Sequence, residues 1–407
     1  MTEPEQLEGT EGGRQGEAGI TRRTFLQGGL AVAGSMAVAP SFLRSRPGFR
    51  LPLAAPGKAQ PTPTTLSSYK PFNPHIPAGP PTGLPKRVAT NFPSGSAYFQ
   101  QFADNVRLAV QSRGYHFTAT TYGSDVAQNV NAINELVNSG IGAVILQVQD
   151  EQGQAPTVQK LIDQGIYVIY SVAGPCDTQV IADQYQCGYV QGVNAAKWIT
   201  QHMGGQAQVC VFNASQISPF FIPRAQGRID GVKKAGKGVQ IVANEPIKLL
   251  TPEEGQQLAA SVLQAHPGVN CWLGDDDTVI GVVAALEQAG KKATDNIFVS
   301  GFNGQANALA AVKARGLFRE DVGFPNGVYE YACGALCCDW IEGKSVPEII
   351  DLGIFVVTPQ NVNAYTRDNN SPATAYKTAI GKYVTYYGNT SFQHPKYIPH
   401  AVTTGAH

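Results

Sequence analysis

Polar and aromatic residues follow many of the short β-branched runs of this sequence, at the positions where parallel strands would present their carboxyl ends. They are 91–99, Gln147, Tyr170 and Ser171, 213–224, 275–277, Asn303, and Gly323 and Phe324. Their amides, carboxylates and single arginine can pair with vicinal hydroxyls, and their aromatic rings can cover the C–H face of a sugar ring. The set therefore suits binding of a small neutral polyhydroxylated molecule.

No arrangement of residues typical of an enzyme accompanies this set. The sequence lacks a nucleophile elbow, a phosphate-binding GxxxxGK[ST] loop and a GxGxxG dinucleotide fingerprint. None of its seven histidines follows a strand-like run, where a general base would be expected. We therefore expect a binding protein and not an enzyme.

Metal, cofactor and nucleic acid are also not expected. The three aspartates at 275–277 lack the spacing of a wrapped calcium loop. Cys333 and Cys337 are one helical turn apart, but no further Cys or His is spaced to complete a zinc site. The 30 basic and 30 acidic residues give a formal net charge of zero, without a basic stripe for nucleic acid.

From about residue 86 to residue 358, β-branched runs alternate with amphipathic helical segments. The runs include RVATNF, HFTATTY, GAVILQV, IYVIYSV, QVCVFNA and IFVSGF. In the first helical segment, Phe99, Phe102, Val106 and Val110 fall on one face. This alternation predicts an α/β protein with parallel sheets, and the number of units favours two doubly wound lobes over one sheet.

The two ends of the chain differ from this regular part. Arg22 and Arg23 precede a short apolar run, which predicts a twin-arginine export signal over 1–40. Eleven prolines between Pro47 and Pro85 predict an extended linker over 41–85. We expect an exported protein, periplasmic or associated with the cell surface, that contacts the membrane only if the signal stays uncleaved. Residues 359–407 are predicted to be a C-terminal extension with little regular structure.

The cysteines number seven, and their pairing is open in the sequence. Cys176 and Cys187 flank a short loop and strand, so an exported protein would either bridge them or leave both as free thiols. Cys210 and Cys271 lie inside apolar runs, which predicts buried free thiols.

Four segments resemble the type I periplasmic sugar-binding proteins, the ribose-binding-like class that serves ABC importers. They are ATNFPSGSAYFQQFADNVRLAVQSRGY, PRAQGRIDGV, HPGVNCWLGDDDTVIGVVAALEQAGK and IFVSGFNGQANALAAVKARG. The third keeps almost whole the family pattern of a strand, Asn/Asp-Asp, small residues, glycine and ALxxAGK. The resemblance extends over about residues 86–357.

The resemblance implies two α/β lobes joined by a three-crossover hinge, with the ligand buried between them. By position, the crossovers are expected near 183–186, 323–324 and 355–357. Lobe 1 would comprise 86–184 and about 325–355, and lobe 2 would comprise 185–323 and about 356–358.

The resemblance also implies roles for residues of the first lobe. Tyr98 and Phe99 match an aromatic pair that sandwiches the sugar ring, although Phe99 also fits the apolar stripe of its helix. Asn91 and Ser96 would add polar contacts from the same loop.

In the second lobe, Arg224 matches an arginine that donates to ligand oxygens, the alternative being a surface arginine. Asp275 stands where the family often has a ligand-binding Asn, and Asn303 where it has a ligand-binding Asp. Asp276 is expected to cap the following helix and steady the loop. Gln147, Ser171 and Phe324 complete the predicted site.

Two departures from the family pattern indicate a less polar pocket. Val172 and Ala173 stand where ribose and glucose binders commonly carry Asp-Arg, and Gly323 stands where they commonly carry Gln. We therefore expect a deoxy-sugar, a polyol or a less hydroxylated cyclic compound as ligand.

These observations predict an exported solute-binding protein that captures a small sugar or sugar-like ligand and delivers it to an ABC importer. Its partners would be the permease and ATPase subunits, and the protein itself would be a monomer. Two alternatives stay open: a receptor that presents its closed form to a membrane sensor, and binding of a non-carbohydrate small molecule.

Overall fold

The computed structural model describes residues 66–79, 83–95, 97–123, 125–147, 151–170, 176–217 and 221–390. The strands are β1 (Arg87–Pro93), β2 (His116–Tyr122), β3 (Ala143–Leu146), β4 (Tyr167–Tyr170), β5 (Thr178–Ile181), β6 (Ala207–Asn213), β7 (Val239–Pro246), β8 (Val269–Leu273), β9 (Phe298–Asn303), β10 (Phe318–Gly323), β11 (Ile349–Leu352), β12 (Phe355–Val357) and β13 (Val384–Tyr387). The helices are α1 (Ala97–Ser112), α2 (Val126–Asn138), α3 (Glu151–Asp163), α4 (Gln184–His202), α5 (Ile222–Val232), α6 (Pro252–Ala265), α7 (Asp276–Gln288), α8 (Ala306–Ala314), α9 (Asn326–Ile341), α10 (Val362–Asn370) and α11 (Pro372–Tyr383). The predicted signal, the linker up to residue 65, Ser96, Ser171, Val172 and Ala173 lie outside the described residues.

The strands form two sheets with the orders β13-β11-β5-β4-β3-β1-β2 and β12-β10-β9-β8-β6-β7. Neighbouring strands are parallel except for the antiparallel pairs β11–β13 and β10–β12. We call the first sheet with α1–α3, α9 and α11 the first lobe, and the second sheet with α4–α8 the second lobe. The predicted fold class, two α/β lobes with mostly parallel sheets, is confirmed.

Helices on both faces explain why the central strands are apolar throughout. All four residues of β3 are buried. On one face, Phe102 and Val106 of α1 pack in the core, and on the other face Ile133 and Leu136 of α2 do the same. Strands covered in this way need apolar side chains at every position, as the sequence has.

Within the described residues, the chain crosses between the lobes four times. It passes from β5 into α4, from β10 into α9, from β11 to β12, and then back from β12 through α10 and α11 to β13. Helix α9 packs against α1 and α11, and so belongs to the first lobe. The fourth passage adds a tie between the lobes beyond the three expected crossovers.

The prediction of little regular structure after residue 359 is wrong for residues 362–387. Val362 and Tyr365 of α10 are buried in the second lobe's core, and Tyr383 and Val384 in the first lobe's core. β13 then pairs with β11 as an antiparallel edge strand. A few buried apolar residues are sufficient to fold this segment. They are not evident in the sequence because most of their neighbours are polar.

All seven cysteines are buried free thiols, so the Cys176–Cys187 bridge that the sequence left open is not formed. Cys176 packs in the cluster that contains Ile133, whereas Cys187 packs in the cluster that contains Phe102. These clusters lie on opposite faces of the first sheet, which keeps the two sulfurs apart. Cys210 and Cys271 are buried thiols, as predicted. Among the described helices, none combines the length and apolar character that a bilayer crossing requires.

Helices α4 and α5 approach so closely that glycine is required at their contact. A Cβ on Gly188 would lie 1.8 Å from the Arg224 carbonyl oxygen, and one on Gly192 would lie 2.4 Å from that of Arg228. From the opposite helix, a Cβ on Gly227 would lie 2.2 Å from the Tyr185 carbonyl oxygen. The paired glycines therefore set the position of the two α5 arginines.

We predict that Gly188→Ala forces α5 away from α4 and lowers the free energy of unfolding by about 3 kcal/mol, the upper range for overpacking. The matched control is Gly381→Ala on α11, where an added Cβ meets nothing within 4 Å. It should stabilise by up to about 1 kcal/mol, because alanine favours helix over glycine. Urea unfolding followed by circular dichroism measures both, and equal stability of the two variants would contradict the packing argument.

Candidate functional site

Arg224 is the centre of a polar cluster at the carboxyl edge of the second sheet. It lies in the first turn of α5 and is 5% exposed. Its Nη1 donates to Asp275 Oδ1 at 2.8 Å, and its Nε and Nη2 donate to Gln184 Oε1 at 2.9 and 2.5 Å. Three of its five N–H groups thus have acceptors within the described part of the chain. The alternative of a surface arginine does not hold.

Aromatic rings cover the Arg224 guanidinium. Its carbon lies 4.1 Å from the centroid of Phe302 and 5.0 Å from that of Phe221. At such distances the ring quadrupole attracts the cation, and the rings exclude water from it. The guanidinium is therefore held in a fixed orientation.

Arg228, which the sequence analysis missed, holds the base of this cluster. It is fully buried, and its Nε, Nη1 and Nη2 donate to Gln191 Oε1, the Phe212 carbonyl oxygen and Asp275 Oδ1, each at 2.7 Å. The spacing in the sequence could have revealed this role, because Arg228 follows Arg224 by four residues and so lies on the same helix face.

The Asp275 carboxylate accepts from both guanidinium groups. Burial raises the pKa of Asp275, but the charges and hydrogen bonds of Arg228 and Arg224 outweigh this effect and hold the pKa below its ordinary value. For Arg228, burial lowers the pKa and Asp275 opposes the shift. The carboxylate is therefore ionised at neutral pH and balances one of the two positive charges.

The predicted aromatic pair packs beside the core of the first lobe, and Tyr98 lies near enough to Arg224 to be affected by its charge. Tyr98 and Phe99 are half-buried with ring centroids 5.0 Å apart, and Phe99 lies 5.1 Å from Phe92 of the core. The hydroxyls of Tyr98 and Tyr329 are hydrogen-bonded. Burial and then the charge of Glu330 raise the pKa of Tyr98, and the charge of Arg224 opposes them. Arg224 of the second lobe thus lies near Tyr98 of the first.

Phe324 and Asn303 lie where the chain leaves the second sheet. Phe324 packs edge-on against Phe302 with centroids 5.2 Å apart, and its carbonyl oxygen accepts from the Tyr365 hydroxyl. Asn303 is half-buried, and its carbonyl oxygen accepts from Asn326 Nδ2 at 2.6 Å. Its φ of 141° is unusual for a residue with a side chain, and such backbone strain concentrates at functional sites.

The Gly323 departure from the family pattern has a steric cause in this chain. A Cβ at position 323 would lie 2.8 Å from both the Cα and the nitrogen of Gly304. The loop after β9 therefore occupies the space that a side chain at 323 would need. On this side of the site, polar contacts must come from other residues.

Asp276 does not cap α7, contrary to expectation. The residue at the N-cap is Asp275, whose side chain makes no capping hydrogen bond because both arginines engage it. Asp276 Oδ2 instead accepts the Gln305 N–H at 2.8 Å. This hydrogen bond holds the loop that follows β9, the strand next to β8 in the sheet.

Two predicted residues of the first lobe have partners outside the Arg224 cluster. Asn91 is fully buried on the sheet face opposite Phe92, and its Nδ2 donates to Asn129 Oδ1 of α2 at 2.7 Å. Gln147 is half-buried after β3, and its carbonyl oxygen accepts from the Tyr122 hydroxyl. A ligand contact of either residue stays a prediction. In the part of the chain that the structure describes, no group of His, Cys, Asp and Glu side chains is arranged to hold a metal.

Comparison with known proteins identifies the family. The family model described as periplasmic binding protein domain matches residues 88–345, more than half of the chain. The ribose import binding protein RbsB of Bacillus subtilis (strain 168) is 22% identical over 273 residues, covering 64% of this chain and 83% of that protein. A xylitol-binding protein of Mycolicibacterium smegmatis is 19% identical over 281 residues, covering 68% and 78%.

Solved structures share the fold. A periplasmic solute-binding protein of Actinobacillus succinogenes 130z with bound D-allose superposes with a TM-score of 0.61 at 18% identity, over 69% of this chain and 99% of that one. The Caulobacter myo-inositol binding protein gives 0.60 at 19% identity, over 73% and 99%. The chain therefore belongs to the periplasmic binding protein family.

Proposed function

We propose that this protein captures a small sugar or polyol between its lobes and presents it to an ABC importer. The proposal rests on two complementary groups, one on each lobe. Arg224 of the second lobe offers guanidinium N–H groups to hydroxyl oxygens, and Tyr98 and Phe99 of the first lobe offer ring faces for C–H groups. The names of the relatives, which refer to ribose import and to xylitol binding, support the same ligand class.

The site offers fewer polar contacts than a hexose or pentose site would. Arg228 and Asp275 are occupied by protein partners, and the close approach of Gly304 keeps position 323 free of a side chain. Deoxy-sugars and small polyols match this limited supply of polar contacts. Export by the twin-arginine route, and action as a monomer with permease and ATPase subunits, are parts of the same proposal.

We predict that a small sugar or polyol raises the melting temperature of the purified protein. Ribose, D-allose, xylitol, myo-inositol and deoxy-sugars form the test panel. Ligand at a hundred times its dissociation constant stabilises the native state by about 2.7 kcal/mol. Tyr98→Ala should abolish the shift of the best ligand, whereas the matched control Tyr98→Phe, which keeps the ring, should retain it. A panel without any hit, or equal binding by Tyr98→Ala, would contradict the proposal.

We also predict that Gly323→Ala weakens ligand binding, because an added Cβ must displace the Asn303–Gly304 backbone. The variant should lose about 2 kcal/mol of unfolding free energy, a typical cost of overpacking. Gly316→Ala is the matched control, since an added Cβ there meets nothing within 4 Å. Isothermal titration calorimetry and urea unfolding measure the two effects, and unchanged affinity in Gly323→Ala would show that this loop does not shape the site.

A further inference from the structure

Two buried carboxyl groups face each other beneath the loop that follows β9. Asp276 begins α7, Asp321 lies in β10, and both are fully buried. Gly301 of β9 pairs with Asp321, and a Cβ on Gly301 would lie 2.3 Å from Asp276 Oδ1. The absence of a side chain at 301 thus makes room for the Asp276 carboxyl beside Asp321.

No N–H or hydroxyl of the described residues meets Asp276 Oδ1 or either Asp321 oxygen in hydrogen-bonding geometry. The two carboxyl groups instead lie within hydrogen-bonding reach of one another. A contact between two carboxyl groups is favourable only when a proton lies between them, because two buried carboxylates repel each other and lack solvation. The contact raises the pKa of Asp321 and lowers that of Asp276, so we assign the proton to Asp321 and the acceptor role to Asp276.

Among the described residues, the charged groups that act most strongly on the pair are acidic, so they supply no cation to replace the proton. Asp275 and Asp277 of α7 and Glu320 of β10 add negative charge. Both guanidinium groups of the cluster engage Asp275 instead. From α10, the neutral Tyr365 hydroxyl faces the pair. The adjacent strands β9 and β12 contribute Gly301 and Val357 at the Asp321 position, neither of them charged.

The pair also holds the loop that carries Asn303. Asp276 Oδ2 accepts the Gln305 N–H at 2.8 Å, and the Gly304 N–H lies near enough to lower the pKa of Asp321 without meeting hydrogen-bonding geometry. Asn303 precedes these residues with its strained φ of 141°. A strained conformation persists only when its surroundings hold it in place, and here the two acids provide that restraint.

We propose that a proton shared by Asp276 and Asp321 fixes the 303–305 loop, so that the affinity for ligand falls when this proton is lost. The inference rests on the proposed function, because it takes Asn303 as part of the ligand site. In this role Asp321 is a positioning residue that acts through Asp276 and the loop.

The direction of the pH dependence follows from burial. Burial raises the pKa of Asp276 to about 7 and raises the pKa of Asp321 well above its ordinary value. Both carboxyl pKa values are higher in the folded than in the unfolded state, so the protons stabilise the fold fully at acid pH. This contribution is lost as the pH rises: the first of the two protons leaves the pair near pH 7, and the shared proton on Asp321 leaves at a higher pH. Affinity should follow the same direction.

The first experiment measures the dissociation constant of the best sugar or polyol from the panel between pH 6.5 and pH 9.5, with the full chain. We expect the affinity of the wild-type protein to weaken about tenfold for each pH unit above the pKa of the shared proton. Asp321→Asn supplies a permanent N–H donor to Asp276 and should keep the acid-pH affinity throughout. A wild-type pH slope retained in Asp321→Asn would overturn the proposal.

Glu320→Gln is the matched control, because it removes the neighbouring buried acid, whose pKa burial raises to about 8. It should keep the wild-type pH slope, and loss of the slope in this variant would assign the effect to Glu320. An independent readout needs no ligand: infrared difference spectroscopy at pH 6.5 should show a protonated buried carboxyl band in the wild-type protein that is missing from Asp321→Asn, because other buried acids such as Glu320 and Glu330 contribute equally to both spectra. Absence of that band at pH 6.5 overturns the shared proton, whereas presence of the band without binding of any sugar refutes only the proposed function.

Discussion

The arrangement of this protein depends on one carboxylate between two buried guanidinium groups. Asp275 accepts from Arg224 and Arg228, and these contacts join the start of α7 to the start of α5. Removing one partner of a buried ion pair typically costs about 3–5 kcal/mol, because the remaining charge loses its solvation. The cluster is therefore stable only when complete, and the glycines between α4 and α5 provide the close approach that completes it.

Aromatic contacts connect the Arg224–Asp275–Arg228 cluster of the second lobe to the first lobe. Phe302 covers Arg224, Phe324 packs on Phe302, and the first lobe's core includes both rings together with Tyr329. The core of the first lobe thus reaches the carboxyl edge of the second sheet. A change in the separation of the lobes must rearrange these contacts, which gives ligand binding a way to act on the hinge.

The sequence predicted the fold because its periodicity reflects burial, and the resemblance of PRAQGRIDGV to the family drew attention to Arg224, whose role in ligand binding stays a prediction. The sequence did not predict the buried contacts of Arg228 and Asp321. Both residues are charged, and the local sequence does not indicate which distant residue each of them contacts in the folded protein. The C-terminal helices were missed for a related reason, since Val362 and Tyr365 are isolated apolar residues in a polar segment. Asp276 was assigned to the wrong partner because helix capping is a local rule, whereas its contact with Gln305 comes from the neighbouring strand's loop.

The most direct test of the account is a crystal structure of the protein with the tightest-binding sugar or polyol. We predict that the ligand lies between the lobes, with hydroxyl oxygens within hydrogen-bonding distance of the Arg224 guanidinium and a C–H face packed on the Tyr98 or Phe99 ring. A ligand bound between the lobes without contact to Arg224, or bound elsewhere on the protein, would contradict it.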